Sequence, residues 1–315
     1  MSWLAPVMLG VVGIALLIGG VERLVKTVRH RAVVAGVSAL ALGLLSTSVD
    51  LESTAAGIAS AAKGLGTVAA GVSIGSVIFL VTGALGVASL LFPFSVKIPR
   101  YFLGVFVVSA VAASVVLLGG GIGRLEALTL LGLFGVMVAG SVRHLRRARS
   151  TERPSGAPSG RVATLSRTRL GFVATVAASL AAMTVGAELV ANAAQKALAA
   201  THLSQTFLGT VIVAVALSLE EGLIEVLPAY RGAPEIAVGN VLGTTAFLLT
   251  GSLGLVALAF PLHLEPRVAT FQVPALLGAV ALATWTLTRP KMGKREGAML
   301  IAYYVLFLAA SWLIR

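Results

Sequence analysis

Carboxylates lie inside an apolar stretch of this sequence, where a charge is costly to insert. Residues 218–225 read SLEEGLIE, so Glu220, Glu221 and Glu225 interrupt an otherwise apolar segment. A charged side chain at the centre of a membrane helix costs about 2.5–3.5 kcal/mol on insertion scales. Three acidic residues within six positions are hard to explain by packing alone, and we interpret them as ligands for a charged solute.

A second polar segment, STSVDLES at residues 46–53, contains Asp50, the only aspartate of the chain. On a helix Asp50, Ser53 and Thr54 can share one face, with Glu52 displaced from it; in the other segment Ser218, Glu221 and Glu225 share a face. Carboxylate, hydroxyl and carbonyl oxygens suit hard cations such as Ca²⁺ or Na⁺. The alternative is that some of these groups are protonated or hydrogen-bonded between helices for structural reasons.

The elements that position these residues are apolar helices. The 315 residues are 57% hydrophobic and 11% charged, whereas soluble domains have about 25% charged residues. Several apolar runs exceed the roughly 20 residues that cross a bilayer. The sequence predicts an all-α integral membrane protein with ten spans at about 4–24, 32–61, 66–93, 99–120, 124–142, 168–198, 204–230, 235–260, 268–288 and 296–314.

The net charge of +12 suggests a nucleic-acid partner until the positions are considered. Most Lys and Arg residues lie in the loops after odd-numbered spans, where they contact lipid headgroups and favour the cytoplasmic side. We therefore expect a multi-pass protein of the cell membrane, with both termini outside and no nucleic-acid partner. The run from Trp3 to Gly20 lacks a basic leader and a cleavage site, so we expect a retained helix.

An internal repeat divides the spans into two halves. Residues 52–93 align without gaps to residues 220–261, an offset of 168, with 15 of 42 positions identical. Each half has five spans, so the second half must enter the membrane from the opposite face. We predict halves at residues 1–142 and 168–315 with a cytosolic linker at 143–167, and a substrate site near the midplane where the halves meet.

Glycines follow the acidic motif in both halves. GVSIGS at 71–76 and GNVLGT at 239–244 place glycines four residues apart, a spacing that allows two helices to approach closely. Ser76 and Thr244 are then expected to present hydroxyl groups toward the crossing point.

At these residues the chain resembles the cation/Ca²⁺ exchanger superfamily, whose members have ten helices in two inverted halves, each with a repeat of the approximate form GTSxPE…GNxxGSNxxN/D. The second copy here, ALSLEEGLIEVLPAYRGAPEIAVGNVLGTTAFLL, is the closer match. The resemblance implies that Glu221 is the coordinating glutamate. Ser218 is at the motif serine, Glu220 at the proline and Thr244 at the GSN serine.

The first copy departs from the pattern. Ser53 stands where the register expects the coordinating glutamate, and Asp50 is at the motif-serine position. There are two alternatives. Asp50 supplies the missing carboxylate from one turn earlier on the same helical face, or a break in the helix rotates Glu52 into the site. Leu80 and Leu248 replace the Asn or Asp that closes each motif.

The function we predict is a secondary-active antiporter that exchanges Ca²⁺ or a similar hard cation for Na⁺ or H⁺. The alternative is a cation channel or a non-transporting scaffold with the same fold. We expect neither enzymatic activity nor a cofactor, and the partners are the transported cations and the lipid bilayer. The residues predicted to handle the cation are Asp50, Glu52, Ser53, Ser76, Ser218, Glu220, Glu221, Glu225 and Thr244.

Overall fold

The structure is a computed structural model that describes residues 4–35, 40, 50–148, 169–198 and 213–313. Nearly all of them are helical, as expected for backbone that must satisfy its hydrogen bonds without water. The described residues form ten helices: α1 Leu4–Ala35, α2 Leu51–Ala62, α3 Gly66–Leu91, α4 Arg100–Leu118, α5 Arg124–Ala148, α6 Arg169–Leu198, α7 Val213–Tyr230, α8 Pro234–Ala259, α9 Val268–Leu287 and α10 Lys294–Leu313.

The boundary predicted between the first two spans is wrong. We expected a basic loop near residues 25–31, but α1 continues through it to Ala35. Glu22 accepts from Lys26 one turn later at 3.3 Å, a spacing that supports a helix. The predicted span at 32–61 is not one helix either, because α2 begins at Leu51. Residues 36–39 and 41–49 lie outside the described ranges.

Membrane-spanning character is confirmed by length and composition. Seven helices in the described part of the chain are long and apolar enough to cross a bilayer: α1, α3, α4, α5, α8, α9 and α10. A shorter apolar stretch in α6 covers Leu170–Gly186. The chain is therefore an integral, multi-pass membrane protein.

The internal repeat is visible in the backbone at the same offset of 168 residues. Gly64 and Gly232 have φ values of +76° and +66°, a region that favours glycine, and form the turns before α3 and α8. Both α3 and α8 then contain a π-helical turn, at Phe79–Ala84 and Phe247–Ser252. The repeat thus encodes local irregularities as well as helix lengths.

The shared sequence Phe-Leu-x-Thr-Gly gives a physical reason for these turns. In α3 the Thr82 hydroxyl donates to the Ile78 carbonyl, and in α8 Thr250 donates to Ala246. Such bonds compete with the backbone ladder and often bend helices. The following glycine leaves room for the aromatic ring, since a Cβ atom built at Gly83 would lie 2.8 Å from Cδ2 of Phe79.

The two halves are interleaved. The last helix of each half packs on the third helix of the other half, so Tyr304 of α10 contacts Phe79 with ring centroids 5.5 Å apart and Phe134 of α5 contacts Phe247 at 5.6 Å. Short backbone pairings also join the halves: Phe94 pairs with Met292, and strand β1, Gly121–Ile122, pairs antiparallel with β2, Leu262–His263.

The described buried apolar side chains form one large core, one smaller core and a minor cluster of Val105, Met137 and Ala246. The large core includes buried residues of α3, α4, α8 and α9. The smaller core joins α1 and α6 to the end of α7 and the start of α8, with Leu17, Val21 and Met183 among its members. Helices α1 and α6 pack along each other and on α7, so they contact the helix that holds the second polar segment.

Candidate functional site

The first polar segment is built around a helix start. Asp50 is extended, with φ −88° and ψ 90°, and caps α2: its Oδ1 atom accepts from the backbone N–H of Ser53 at 2.8 Å. Its other oxygen, Oδ2, is buried without a hydrogen-bond partner among the described residues. Asp50 therefore does not share a helical face with Ser53 as expected; it lies one residue before α2 and caps it.

Ser53 faces α3. Its hydroxyl lies 3.5 Å from the hydroxyl of Ser76, so two predicted ligands from the first half come together beside Asp50. A Cβ atom built at Gly75, next to Ser76, would have no described atom within 4 Å. At Gly71 the nearest described atom would be Nε2 of Gln272, at 3.8 Å. Gly71 is thus in ordinary contact with α9, while Gly75 borders open space beside the serine pair, so the expected close helix approach is not made at Gly75.

The second half places Thr244 in a more crowded environment. Thr244 is buried, and its hydroxyl donates to Oδ1 of Asn240 at 3.3 Å. Gly239 and Gly243 are buried in the same helix. Sequence reasoning did not select Asn240, although the Gly-Asn pair of the motif was a signal for it. Its amide orients a predicted ligand.

Glu225 is completely buried on α7, one turn beyond Glu221. By the repeat it corresponds to Gly57 of α2, where a Cβ atom would lie only 3.0 Å from Cγ2 of Val256. The first-half counterpart of Val256 is the smaller Ala88. By the pseudo-symmetry of the repeat, Glu225 is therefore expected to lie next to Ala88, whose small side chain leaves room for the glutamate.

Sequence reasoning also missed the pair formed by Thr54 and Ser252. Their hydroxyl oxygens are 2.8 Å apart in a buried contact between α2 and the π-helical turn of α8. The Thr54 hydroxyl also lies 2.7 Å from the Asp50 carbonyl oxygen; when its one proton is donated there, the Ser252 hydroxyl donates to Thr54. A serine inside an apolar span carries no strong signal by itself, so only the structure could find this contact.

The other predicted ligands stay predictions. The side chains of Glu52, Ser218, Glu220 and Glu221 lie outside the described part of the structure. Among the described residues, no group of three or more acidic or histidine side chains comes together. The oxygens that are described and could contact a hard cation in the first half belong to Asp50, Ser53 and Ser76, a carboxylate with two hydroxyls.

Two inverted sets of helices, each with a polar segment inside its apolar helices, are characteristic of secondary transporters. The family model described as "Sodium/calcium exchanger protein" matches residues 5–143 and 171–313. The chain belongs to this family of membrane transporters, as its motifs led us to expect.

Individual proteins agree with this assignment. The sodium/calcium exchanger MaX1 of Methanosarcina acetivorans is 30% identical over 141 residues, 44% of this chain and 40% of that protein. The matched segment thus spans less than half of that relative. The inner membrane protein YrbG of Escherichia coli is 26% identical over 249 residues, 75% of this chain and 74% of that protein.

Solved structures share the fold. The sodium-calcium exchanger NCX_Mj soaked with zero Na⁺ and Ca²⁺ superposes with a TM-score of 0.81 at 22% identity, over 98% of this chain and 99% of that one. The same exchanger soaked with 2.5 mM Na⁺ and 10 mM Sr²⁺ gives a TM-score of 0.80. The predicted fold of ten helices in two inverted five-helix halves is confirmed.

Proposed function

We propose that this protein is a secondary-active antiporter that exchanges Ca²⁺ or a similar hard cation for Na⁺ or H⁺. The observation that carries the proposal is the helix start at Asp50. It places a buried carboxylate oxygen, free of described partners, beside the Ser53–Ser76 hydroxyl pair and the open space at Gly75. A buried charge of this kind is stabilised by a bound cation. Membership of the exchanger family and the names of its relatives support the same activity.

The binding site combines both halves. In this proposal Asp50 and Glu52 act from α2, Glu220 and Glu221 from α7, and the hydroxyls of Ser53, Ser76, Ser218 and Thr244 complete the oxygen ligands. Glu225 lies one turn deeper than Glu221 and takes part as a further carboxylate. Coordination by oxygen atoms selects hard cations over soft transition metals.

Exchange follows from competition for these carboxylates. Together the carboxylates bind either one divalent cation or an equivalent charge of Na⁺ or H⁺. They do not bind both fully, because the cations repel one another strongly in a low-dielectric site. Clustered acids raise one another's affinity for protons. The additional acids and the two leucines at Leu80 and Leu248, where the family pattern has amides or carboxylates, favour a proton as one of the exchanged ions.

Alternating access is assigned to α1 and α6. They pack along each other in the smaller core, which also includes residues of α7 and α8, and contact the remaining helices mainly through α7. We propose that this pair slides across a fixed site formed by α2, α3, α7 and α8. The site is then exposed to one side of the membrane at a time.

Orientation and domain limits belong to the same proposal. The halves extend over residues 1–142 and 168–315, with a cytosolic linker at 143–167. The distribution of Lys and Arg places both termini outside the cell membrane. Cysteine-scanning accessibility of the natural loops in whole cells tests this orientation, because the chain has no native cysteine.

The experiment is ⁴⁵Ca²⁺ uptake into proteoliposomes with an imposed Na⁺ or H⁺ gradient. Uptake should require the opposing gradient and should be abolished by Glu221→Gln. Ser114→Ala is a matched control, because Ser114 is a buried hydroxyl of α4 without a described partner. Uptake that needs no gradient identifies a channel, and absence of uptake in the folded wild type identifies a scaffold; either result overturns the proposal.

A further inference from the structure

Two loops on one face of the molecule are joined and are strongly basic. Phe94, after α3, and Met292, before α10, exchange both backbone hydrogen bonds, at 3.0 and 2.8 Å. We call this region the basic bridge. Its basic residues, all exposed, are Lys97, Arg100, Arg289, Lys291, Lys294 and Arg295. Because the paired loops come from different halves, this charge is concentrated by the fold and not by one sequence run.

The opposite face provides an internal comparison. There β1 and β2 join the α4–α5 and α8–α9 loops in the same way, and Leu262 is the repeat counterpart of Phe94. The exposed charged residues around this pairing include Arg124 and Arg267 but also Glu126 and Glu265. With Lys63, which is exposed before α3 on the same face, the basic residues exceed these acids by only one, so the bridging architecture itself does not require a strong excess of positive charge.

The charges of the basic bridge are available to a ligand. Among the described residues, none of its six cations forms an ion pair with a carboxylate, whereas Lys26 does so with Glu22. The nearest acid in sequence, Glu296, accepts from the backbone N–H of Gly293 at 3.1 Å and attracts Arg289 and Arg295 without an ion pair, so it offsets at most one of the six positive charges. Arg289 is held over the Trp285 ring, 4.3 Å from its centroid, which orients its guanidinium.

Exposed apolar side chains lie immediately beneath these cations. Leu91, at the end of α3, is 56% exposed, Trp285 is 40% exposed and Met299, in the second turn of α10, is 38% exposed. Tryptophan beside basic residues at the ends of apolar helices is typical of the headgroup level of a bilayer. A ligand bound here therefore contacts the cations at one end and the exposed apolar side chains at the other.

We propose that the basic bridge is a binding site for the headgroups of anionic phospholipids. Phosphate oxygens accept hydrogen bonds from Arg and Lys, while the acyl chains lie against the apolar band. A lipid bound here contacts loops from both halves and stabilises their association. The proposal depends on the membrane location of the protein and not on which cations it transports.

The test is thermal unfolding of the purified full-length protein in detergent, titrated with dioleoylphosphatidylglycerol or dioleoylphosphatidylcholine. Phosphatidylglycerol should raise the unfolding midpoint and phosphatidylcholine should not. The triple variant Lys97→Gln, Lys291→Gln, Lys294→Gln should bind phosphatidylglycerol about a hundredfold more weakly, by loss of the attraction that each of the three cations contributes. The matched control is Arg124→Gln with Arg267→Gln on the opposite face, which should keep the wild-type affinity.

Two further measurements use only the wild-type protein. They distinguish binding of a phospholipid from binding of a soluble phosphate compound. Glycerol 3-phosphate at the same concentration should leave the midpoint unchanged. Raising KCl from about 0.1 to 1 M should remove most of the phosphatidylglycerol effect on the wild type, because screening shortens the range of these charges. Equal stabilisation by both lipids, an equal effect of glycerol 3-phosphate, or equal losses in the triple variant and the control overturns the proposal.

Discussion

The hydroxyl groups of Thr54 and Ser252 are hydrogen-bonded at 2.8 Å and join α2 of the first half to the π-helical turn of the second half. Thr54 is 6% exposed and Ser252 is completely buried. At the repeat-related positions stand Gly222 and Ala84, which have no hydroxyl groups. The polar contact between halves is therefore present on one side of the pseudo-symmetric site only, beside Asp50.

Breaking this contact should loosen the start of α2. We expect Ser252→Ala to destabilise the protein by about 0.6 kcal/mol, the average for hydrogen bonds between membrane helices, and to weaken the apparent Ca²⁺ affinity. A double-mutant cycle with Thr54→Val, measured by unfolding in detergent, gives the coupling energy. Ser114→Ala controls for the loss of a buried hydroxyl, and a coupling energy near zero would show that the contact has no energetic role.

Asp50 combines a structural and a proposed binding role that substitution can separate. Asparagine caps helices about as well as aspartate, whereas alanine does not. Asp50→Asn should therefore unfold near the wild-type temperature but bind Ca²⁺ about tenfold to a hundredfold more weakly, as expected for loss of a charged ligand. Asp50→Ala should also lose about 1 kcal/mol of stability.

The readouts are the unfolding midpoint and the Ca²⁺ concentration that half-saturates exchange. Wild-type affinity in Asp50→Asn, with the fold intact, would remove Asp50 from the site and leave Glu52 as the first-half carboxylate.

Asn240 has no polar counterpart in the first half, where Val72 occupies the equivalent position. We expect Asn240→Val to leave the Thr244 hydroxyl without its amide partner and to weaken cation affinity up to about tenfold, by 0.5–1.5 kcal/mol. Val72→Ala is the matched control in α3. Concentration-dependent ⁴⁵Ca²⁺ uptake measures the effect, and an equal change in both variants would indicate a packing effect instead.

Several features of the fold were predictable because they follow from hydropathy and from residues with strong local preferences. Apolar length and charged breaks predict most of the spans, and the offset of 168 predicts two related halves. The turns at Gly64 and Gly232 and the π-helical turns that Thr82 and Thr250 explain were found only in the structure, although they recur at the same offset. Hydropathy predicts the end of α1 too early, because the basic residues that it assigns to a loop continue the helix to Ala35.

The site was less predictable because it depends on tertiary contacts. The sequence left open whether Asp50 lies on a helical face or beside a break; the structure makes it the cap of α2. Ser53 and Ser76 were each candidate ligands from the motif, but their contact comes from the structure. Thr54 and Ser252 are 198 positions apart and had no local signature. The roles of Glu52, Ser218, Glu220 and Glu221 rest on the sequence and the family resemblance.

Adjacent glycines of α1 provide a test of the proposed sliding of α1 and α6. A Cβ atom at Gly20 would lie 2.9 Å from the Ser179 carbonyl oxygen of α6, whereas one at Gly19 would have no described atom within 4 Å. Gly20→Ala must therefore move the two helices apart, while Gly19→Ala should be neutral or stabilising by up to about 1 kcal/mol. If the pair moves as a unit across the site, Gly20→Ala should lower the maximal exchange rate several-fold and change the half-saturating Ca²⁺ concentration less. Exchange in proteoliposomes separates the two quantities, and equal rates for the two alanine variants would contradict the assignment of alternating access to α1 and α6.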